Sequence, residues 1–324
     1  MFWIPIPTTD LYFLNSCQDL TKHFPWQQQP VRRLGNNSFQ CGNFILVIRS
    51  DKEEVLHRVL SQKAAEIIYL VDDDIWSAPD DGTLPEKYRT KLAGLTTGLV
   101  GECINRASHI VVSSNILSDK VPANIPVSKL SPCWHIEPPD EKHFNQEYIK
   151  LVHLGTNSHK AGYEFLRPIL ENVLDKTSHV TFTYYSNTSL LGALDKHPRI
   201  IRQSLMRWKK YKKHIGKKRF HLGLYPILDT PFNQGRSHNK ILEYCLTGCA
   251  AVFSKNWYHS GLIEHGTNGW LCNNNQQDWS KVILSLVEKP RQLQTVFAGA
   301  SQLFGQLNDL QYQRAFWKHL LLKE

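Results

Sequence analysis

The sequence predicts an α/β protein made of two doubly wound parallel sheets that face each other across a cleft. Three observations lead there. Short apolar runs alternate with segments of helical periodicity, as parallel strands covered on both faces require. The alternation passes through two successive cycles. Between the cycles, WHIEPPDEKHFNQEY (134–148) is polar, holds two adjacent prolines and has no apolar period, so it reads as a connection. The expected domains are residues 1–135 and 149–324, joined by a linker over 136–148.

In the first cycle, NFILVIR (43–49) reads as a strand ending in a cation, and EEVLHRVLSQKAA as the helix after it. EIIYLVDDD (66–74) is a strand running into three carboxylates. A long helical segment is expected from Pro85 to about Ala107, then strands at HIVVSS (109–114) and SKLSPCW (128–134). The second cycle opens with KLVHLG (150–155), a GTNSHKAG turn and the helix YEFLRPILENVLDK. HVTFTYYS (179–186), RFHLGLYPI (219–227), AAVFS (250–254) and NGWLC (268–272) are its further strands, and two or three helices close the chain. Ligands of such sheets bind beyond the carboxyl ends of the strands. That rule gathers Arg49, Asp72 to Asp74, Gly155, Thr156 and the loop after Ile227 around one cleft. The first 40 residues show no readable pattern.

Composition sets the class. The sequence has 324 residues, 41% of them hydrophobic and 21% charged, which fits a globular chain able to fill two cores. No apolar run approaches the roughly 20 residues that a spanning helix needs. The N-terminal MFWIPIPTTDLYFLNS lacks a basic leader, so no secretory signal is expected. The seven cysteines (17, 41, 103, 133, 245, 249 and 272) form no CxxC pair and no metal-ligand spacing. They read as reduced, buried side chains of a cytoplasmic protein.

The net charge of +9 is concentrated. Ten Lys or Arg and no acid lie between Arg199 and Arg219, where Ile201, Leu205, Trp208, Tyr211 and Ile215 recur at helical spacing. Three readings stay open: a surface helix docked by its apolar stripe, contact with an anionic membrane surface, or nucleic acid. No nucleic-acid module accompanies the run, so nucleic acid is not expected as a partner.

The richest stretch is YPILDTPFNQGRSHNKILEYCLTGCAAVFS (225–254). A strand ends near Ile227, a polar loop follows, and helical periodicity begins near Ser237 and stops at Gly248. A helix N-terminus exposes unpaired N–H groups and the positive dipole end, which suits a phosphate. Arg236 and Lys240 add fixed charge there, so a diphosphate can be held without a metal. Glu243 lies two turns in, where a carboxylate can accept hydrogen bonds from a ribose diol. The plain alternative is an amphipathic helix with an incidental ion pair.

The order PxxDTPFN, RSxxKxLEYxxTG, an apolar strand and SGLIEHGTNGWLC resembles the donor-binding domain of GT-B fold glycosyltransferases. It is most similar to the large retaining family of bacterial polysaccharide and lipopolysaccharide sugar transferases. The resemblance is good over residues 150–290, fair over 66–135 and not visible over 1–40. It implies two Rossmann-like domains, the first binding the acceptor and the second a nucleotide-sugar donor. By this resemblance Glu243 is the ribose-binding Glu of a paired-Glu motif. The first Glu of that motif is replaced by Gly235, leaving Asp229, Phe232 and Asn233 of the same loop to approach the sugar. Gly155 and Thr156 resemble the glycine turn at the phosphates, followed by His159 and Lys160 where the family often has Arg and Lys. Ser237 is the expected helix N-cap.

The triple acid admits three readings. Adjacent carboxylates at a strand end repel one another unless something compensates. They can hold a divalent metal, orient or deprotonate an acceptor hydroxyl through Asp73 or Asp74, or simply cap a helix. Taken together, the expectation is a cytoplasmic transferase, peripheral at the inner membrane face, with Asp73, Asp74, Arg236 and Lys240 catalytic. It would move a sugar to a hydroxyl of a glycan or lipid-linked glycan and need no cofactor and no metal besides its nucleotide-sugar substrate. A nonhydrolysing sugar-nucleotide epimerase and a non-catalytic nucleotide-sugar-binding protein are the rival readings.

Overall fold

A computed structural model describes residues 4–21 and 30–323. The first sheet holds β1 (Arg32–Arg33), β2 (Ser38–Cys41), β3 (Phe44–Ile48), β4 (Glu66–Val71), β5 (Ala107–Val112) and β6 (Val127–Lys129), in that spatial order. β3 to β6 run parallel, and β1 and β2 add an antiparallel edge. The second sheet holds β7 (Ile149–His153), β8 (Val180–Tyr185), β9 (Ile200–Gln203), β10 (Leu222–Tyr225), β11 (Ala250–Ser254) and β12 (Trp270–Cys272). All its neighbours are parallel, in the order β12-β11-β10-β7-β8-β9. The chain thus winds outward from β7 in one direction and from β10 in the other, which opens a crevice between those two strands.

Side-chain alternation explains how the first sheet is covered. Ile45, Val47, Ile67, Tyr69, Ile110 and Val112 turn toward the crossover helices Glu53–Ser61 and Gly98–Asn105. Leu46, Ile48, Ile68, Leu70 and Val111 face the other way and belong to the large core. That face is covered from the two ends of the described chain. An N-terminal helical segment, Pro7–Thr21 with a π-helical turn over Asp10–Leu14, packs there beside the last helix, Leu310–Leu322. Phe13 is the pin, 4.7 Å from Phe39 and 5.4 Å from Trp317 between ring centres. Trp317 Nε1 donates to the Tyr12 carbonyl at 2.6 Å, and Gln313 Nε2 donates to the Leu11 and Ser131 carbonyls.

Three expected elements differ. The helix expected from Pro85 to Ala107 is two helices, Glu86–Ala93 and Gly98–Asn105, because Gly98 takes φ +57° between them. The basic stretch is not one helix. Ile200–Gln203 forms the edge strand β9, so Ile201 is 39% exposed, and only Trp208–Ile215 is helical. Its apolar residues are spent inside the protein, with Ile215 buried and Trp208 against Trp134 at 5.4 Å. The strand expected at 128–134 stops at Lys129. In the polar connection His143 is buried, its Nε2 within 3.0 Å of the Phe220 and Gly248 carbonyls. Among the described residues no helix is long and apolar enough to cross a membrane. All seven cysteines are buried.

Candidate functional site

The crevice between β7 and β10 is where backbone and charge converge. After β7 the chain turns through Leu154 and Gly155, makes a 3-10 turn over Asn157–His159 and enters the helix Lys160–Lys176. A Cβ at Gly155 would lie 2.4 Å from His153 Nε2, so only glycine lets the turn pass. After β10 the short turn Pro231–Gln234 is capped by Thr230 Oγ1, which accepts from the Asn233 N–H at 3.3 Å. The next helix is Asn239–Leu246, two residues later than expected. His238 occupies the N-cap position, and Ser237 Oγ accepts from the Asn239 N–H at 3.4 Å.

Two cavities adjoin in the crevice and share Pro7, Leu11, Asn239 and Lys240. The larger, about 580 Å³, is lined by Arg49, Asp72, Asp73 and Tyr88 from the first half of the chain. Arg236, Ser237 and Lys240 face them from the second, and Thr8 and Tyr12 close it from the N-terminal segment. The smaller, about 390 Å³, is bounded by Gly155, Thr156, His159 and Glu243 and walled by Tyr185, Met206, Trp208 and Tyr211. A charged hollow therefore opens into an aromatic one.

The three acids separate into different jobs. Asp72 and Asp73 share one cation, with Arg49 Nη1 at 3.3 and 2.9 Å from their oxygens. Arg49 adopts φ +57°, a left-handed conformation that costs an arginine about 1–2 kcal/mol. Its carbonyl accepts from Tyr69 Oη at 2.7 Å, which helps hold it there. Burial pushes Asp72 up to about 6, with Arg49 pulling the other way. Burial opposes the charge of Asp73 too, yet Arg49 and Arg236 keep it below its ordinary value, and Tyr88 donates to it at 3.2 Å. Asp74 is fully buried outside the cavity. It is ion-paired with Lys120 and accepts from the Ser77 N–H at 2.9 Å, so it anchors a turn and cannot meet an acceptor. Among the described residues no group of three or more His, Cys, Asp or Glu is placed to hold a metal.

On the opposite wall Lys240 Nζ donates to the Leu154 carbonyl and to Glu243, which also accepts from Tyr211 Oη. The helix thus ties the turn after β7 to the basic segment through one lysine and one carboxylate. Burial and the neighbouring Glu243 raise the Tyr211 phenol well above its usual range, so it stays a donor. Arg236 Nε donates to Asn233 Oδ1 at 2.8 Å, its guanidinium lies 4.8 Å over the Phe232 ring, and its Nη1 is 3.4 Å from His159 Nε2. Burial first, then Arg236, His153 and Lys240, depress His159 well below its ordinary value, so it is neutral here.

Of the residues singled out in the sequence, Asp73, Arg236, Lys240, Gly155, Thr156, His159, Ser237 and Glu243 line the two cavities. Five do not. Asp74 is accounted for above. Lys160 is exposed and pairs with Glu164 one helical turn on. Asp229 is exposed and accepts from Gln234. Phe232 is buried in the first-half core against Tyr88, and Asn233 is buried with its amide donating to the Leu228 carbonyl. Gly235 fits its place for a steric reason, since a Cβ there would come within 2.9 Å of the Asp74 Cβ. Sequence reasoning missed Thr8, Tyr12, Tyr88 and the aromatic wall of Trp208 and Tyr211. Only the helical spacing of the last two pointed inward.

Comparison with solved structures fixes the architecture. HepE of Anabaena, solved with UDP and glucose, superposes with TM-score 0.61 at 15% identity, covering 86% of this chain and 78% of its own. TarM follows with TM-score 0.56 at 15% identity, 80% of this chain and 51% of its own. Sucrose-phosphate synthase of Thermosynechococcus elongatus gives TM-score 0.58 at 10% identity, 83% of this chain and 70% of its own. The chain has the GT-B fold. No family model matches the sequence, and no curated protein is significantly similar to it. In this GT-B frame the two sheets are the two lobes, and the paired cavities lie between them.

Proposed function

We propose that this GT-B protein is a glycosyltransferase that moves a sugar from a nucleoside-diphosphate donor to a hydroxyl of a glycan or glycolipid, in cell-surface polysaccharide synthesis. One observation carries the reading. Arg236, Lys240 and a glycine-fitted turn converge on the crevice of the second sheet, directly opposite the Arg49–Asp72–Asp73 cluster of the first. A nucleoside fits the aromatic cavity, with its ribose at Glu243 and a base against Trp208 and Tyr211. The diphosphate would then fall at Arg236, Lys240 and the turn at Gly155, and the sugar would point into the larger cavity.

Charge grows on the leaving phosphate in the transition state, and Arg236 and Lys240 are placed to stabilise it. Asp73, held ionised by Arg49, keeps a fixed negative charge facing the sugar. The protein needs no metal under this reading, because the two cations supply the charge. Retention of the anomeric configuration is part of the proposal and follows the resemblance of residues 150–290 to retaining transferases. A uridine donor is the first choice, since HepE was solved with UDP-glucose.

The experiment is a titration with UDP-, GDP-, ADP-, TDP- and CMP-sugars, followed by donor cleavage in EDTA. Micromolar binding of one class with turnover in EDTA supports the whole reading. Activity that vanishes in EDTA and returns with manganese overturns metal independence. Binding without turnover, with or without acceptor, would make this a nucleotide-sugar-binding protein.

A further inference from the structure

We propose that Tyr12 and Asp72 together hold one hydroxyl of the acceptor, an assignment that rests on the transferase reading above. Tyr12 comes from the N-terminal helical segment, is 1% exposed and lines the larger cavity. Its phenol makes no hydrogen bond of good geometry, and the hydroxyls of Ser113 and Ser237 are near enough only for a weak polar interaction with it. A buried hydroxyl left without a partner costs about 1–3 kcal/mol, and one that lines a cavity is where a ligand would recover that cost. Asp72 lies next to it in the same cavity. Its Oδ2 accepts from Thr8 Oγ1 at 2.9 Å, while its Oδ1 faces Arg49 at 3.3 Å and also makes no hydrogen bond.

A phenol O–H without an acceptor and a carboxylate oxygen whose contact is an ion pair and not a hydrogen bond are together the complement of a hydroxyl, which takes one hydrogen bond and gives another. Other groups fit worse. A phosphate or carboxylate would be repelled by Asp72, and an ammonium has no lone pair for the phenol. Asp73 is different, because Tyr88 donates to it at 3.2 Å in addition to the Arg49 ion pair that it shares with Asp72. The assignment therefore makes Asp72 and Tyr12 the acceptor-positioning pair, with Asp73 serving the donor side. It also gives the N-terminal segment a role in substrate choice.

The test uses Tyr12→Phe, which keeps the ring, and Asp72→Asn, which keeps the shape. Each full-length variant is compared with wild type for UDP affinity, for UDP-sugar cleavage, and for transfer to a panel of p-nitrophenyl glycosides. The expected result is an acceptor KM raised about tenfold, as for one lost hydrogen bond, with UDP affinity changed less than about twofold. An unchanged acceptor KM in both variants overturns the subsite, as does an equal loss of UDP affinity. A wild type that cleaves donor yet accepts no glycoside of the panel overturns it too. If Tyr12→Phe fails to fold, Asp72→Asn alone decides. A wild type that neither binds nucleotide nor cleaves donor fails at the earlier step and removes the transferase reading itself.

Discussion

The Gly235 Cα lies so close to Asp74 that a side chain at 235 has nowhere to go, with Asp74 Cβ at 2.9 Å and Leu117 Cδ2 at 3.0 Å from a Cβ built there. Asp74 cannot retreat, since Lys120 and the Ser77 N–H hold it. The contact joins the lobes, and Ser114 Oγ donates to the Gly235 carbonyl at 3.4 Å beside it. Gly235, at the position where the resemblance would put the first acid of a paired-Glu motif, is thus the residue this lobe arrangement has room for.

Restoring that acid should do harm. Gly235→Glu is expected to destabilise the protein by about 1–3 kcal/mol, the range for overpacking a filled site. Chemical denaturation measures it, and wild-type stability with raised donor turnover would contradict the packing account.

Glu243→Ala is expected to weaken nucleotide binding by about 1–3 kcal/mol through lost hydrogen bonds to a charged group. It also releases Lys240 and Tyr211, so Tyr211→Phe is the control and should lose less. Isothermal titration of the two variants gives the comparison. Equal affinity in Glu243→Ala and wild type would end the ribose role.

Acidity offers a separate handle. Asp72 is pushed up to about 6, so it gains its charge only as pH rises through that value. Arg49, Asp73, Thr8, Tyr12, Tyr69 and Tyr88 are the polar and charged groups that face it. Because the folded value exceeds the unfolded one, the stability it contributes is complete below the ordinary carboxylate range and is lost as pH rises toward about 6. Acceptor affinity should move oppositely, strengthening between about pH 5 and 7 as the carboxylate ionises. Acceptor KM measured across that range shows the limb, and Asp72→Asn should flatten it.

The exposed lysines of the helix Trp208–Ile215 support one more expectation. Lys212 is engaged by Asp10, whereas Lys209, Lys210 and Lys213 are exposed. If they meet anionic lipid, each contributes about 1 kcal/mol. Co-sedimentation of Lys209→Glu/Lys210→Glu/Lys213→Glu with anionic vesicles should fall steeply against wild type, and added salt should erase the difference. Equal pelleting at low salt would leave the helix a packing element only.

What the sequence disclosed, and what it hid, follows from periodicity. EIIYLV and FILVI sit inside a sheet and are apolar without interruption, so they stand out as strands. The pair Lys240 and Glu243 was legible because a helix repeats its face every three or four residues, whereas Arg236 lies in the loop before the helix Asn239–Leu246 and stood out by its charge alone. Pro7–Thr21 hides because its turn switches from α to π and back, so no single period describes it, and yet it carries Thr8 and Tyr12. Asp72, Asp73 and Asp74 look equivalent in sequence. Only their neighbours, Arg49 for two and Lys120 for the third, tell them apart.

The last helix, Leu310–Leu322, follows the second sheet in the chain but covers the first. The two sheets are thus not separable modules. A fragment ending before β7 would keep Phe13 on Phe39 but lose Trp317 from the other side of Phe13, leaving that part of the apolar face bare to water and prone to self-association. A fragment beginning at β7 would carry a helix with Trp317 and Leu321 turned to solvent. Any dissection of this protein into its two lobes has to splice that helix back onto the N-terminal piece.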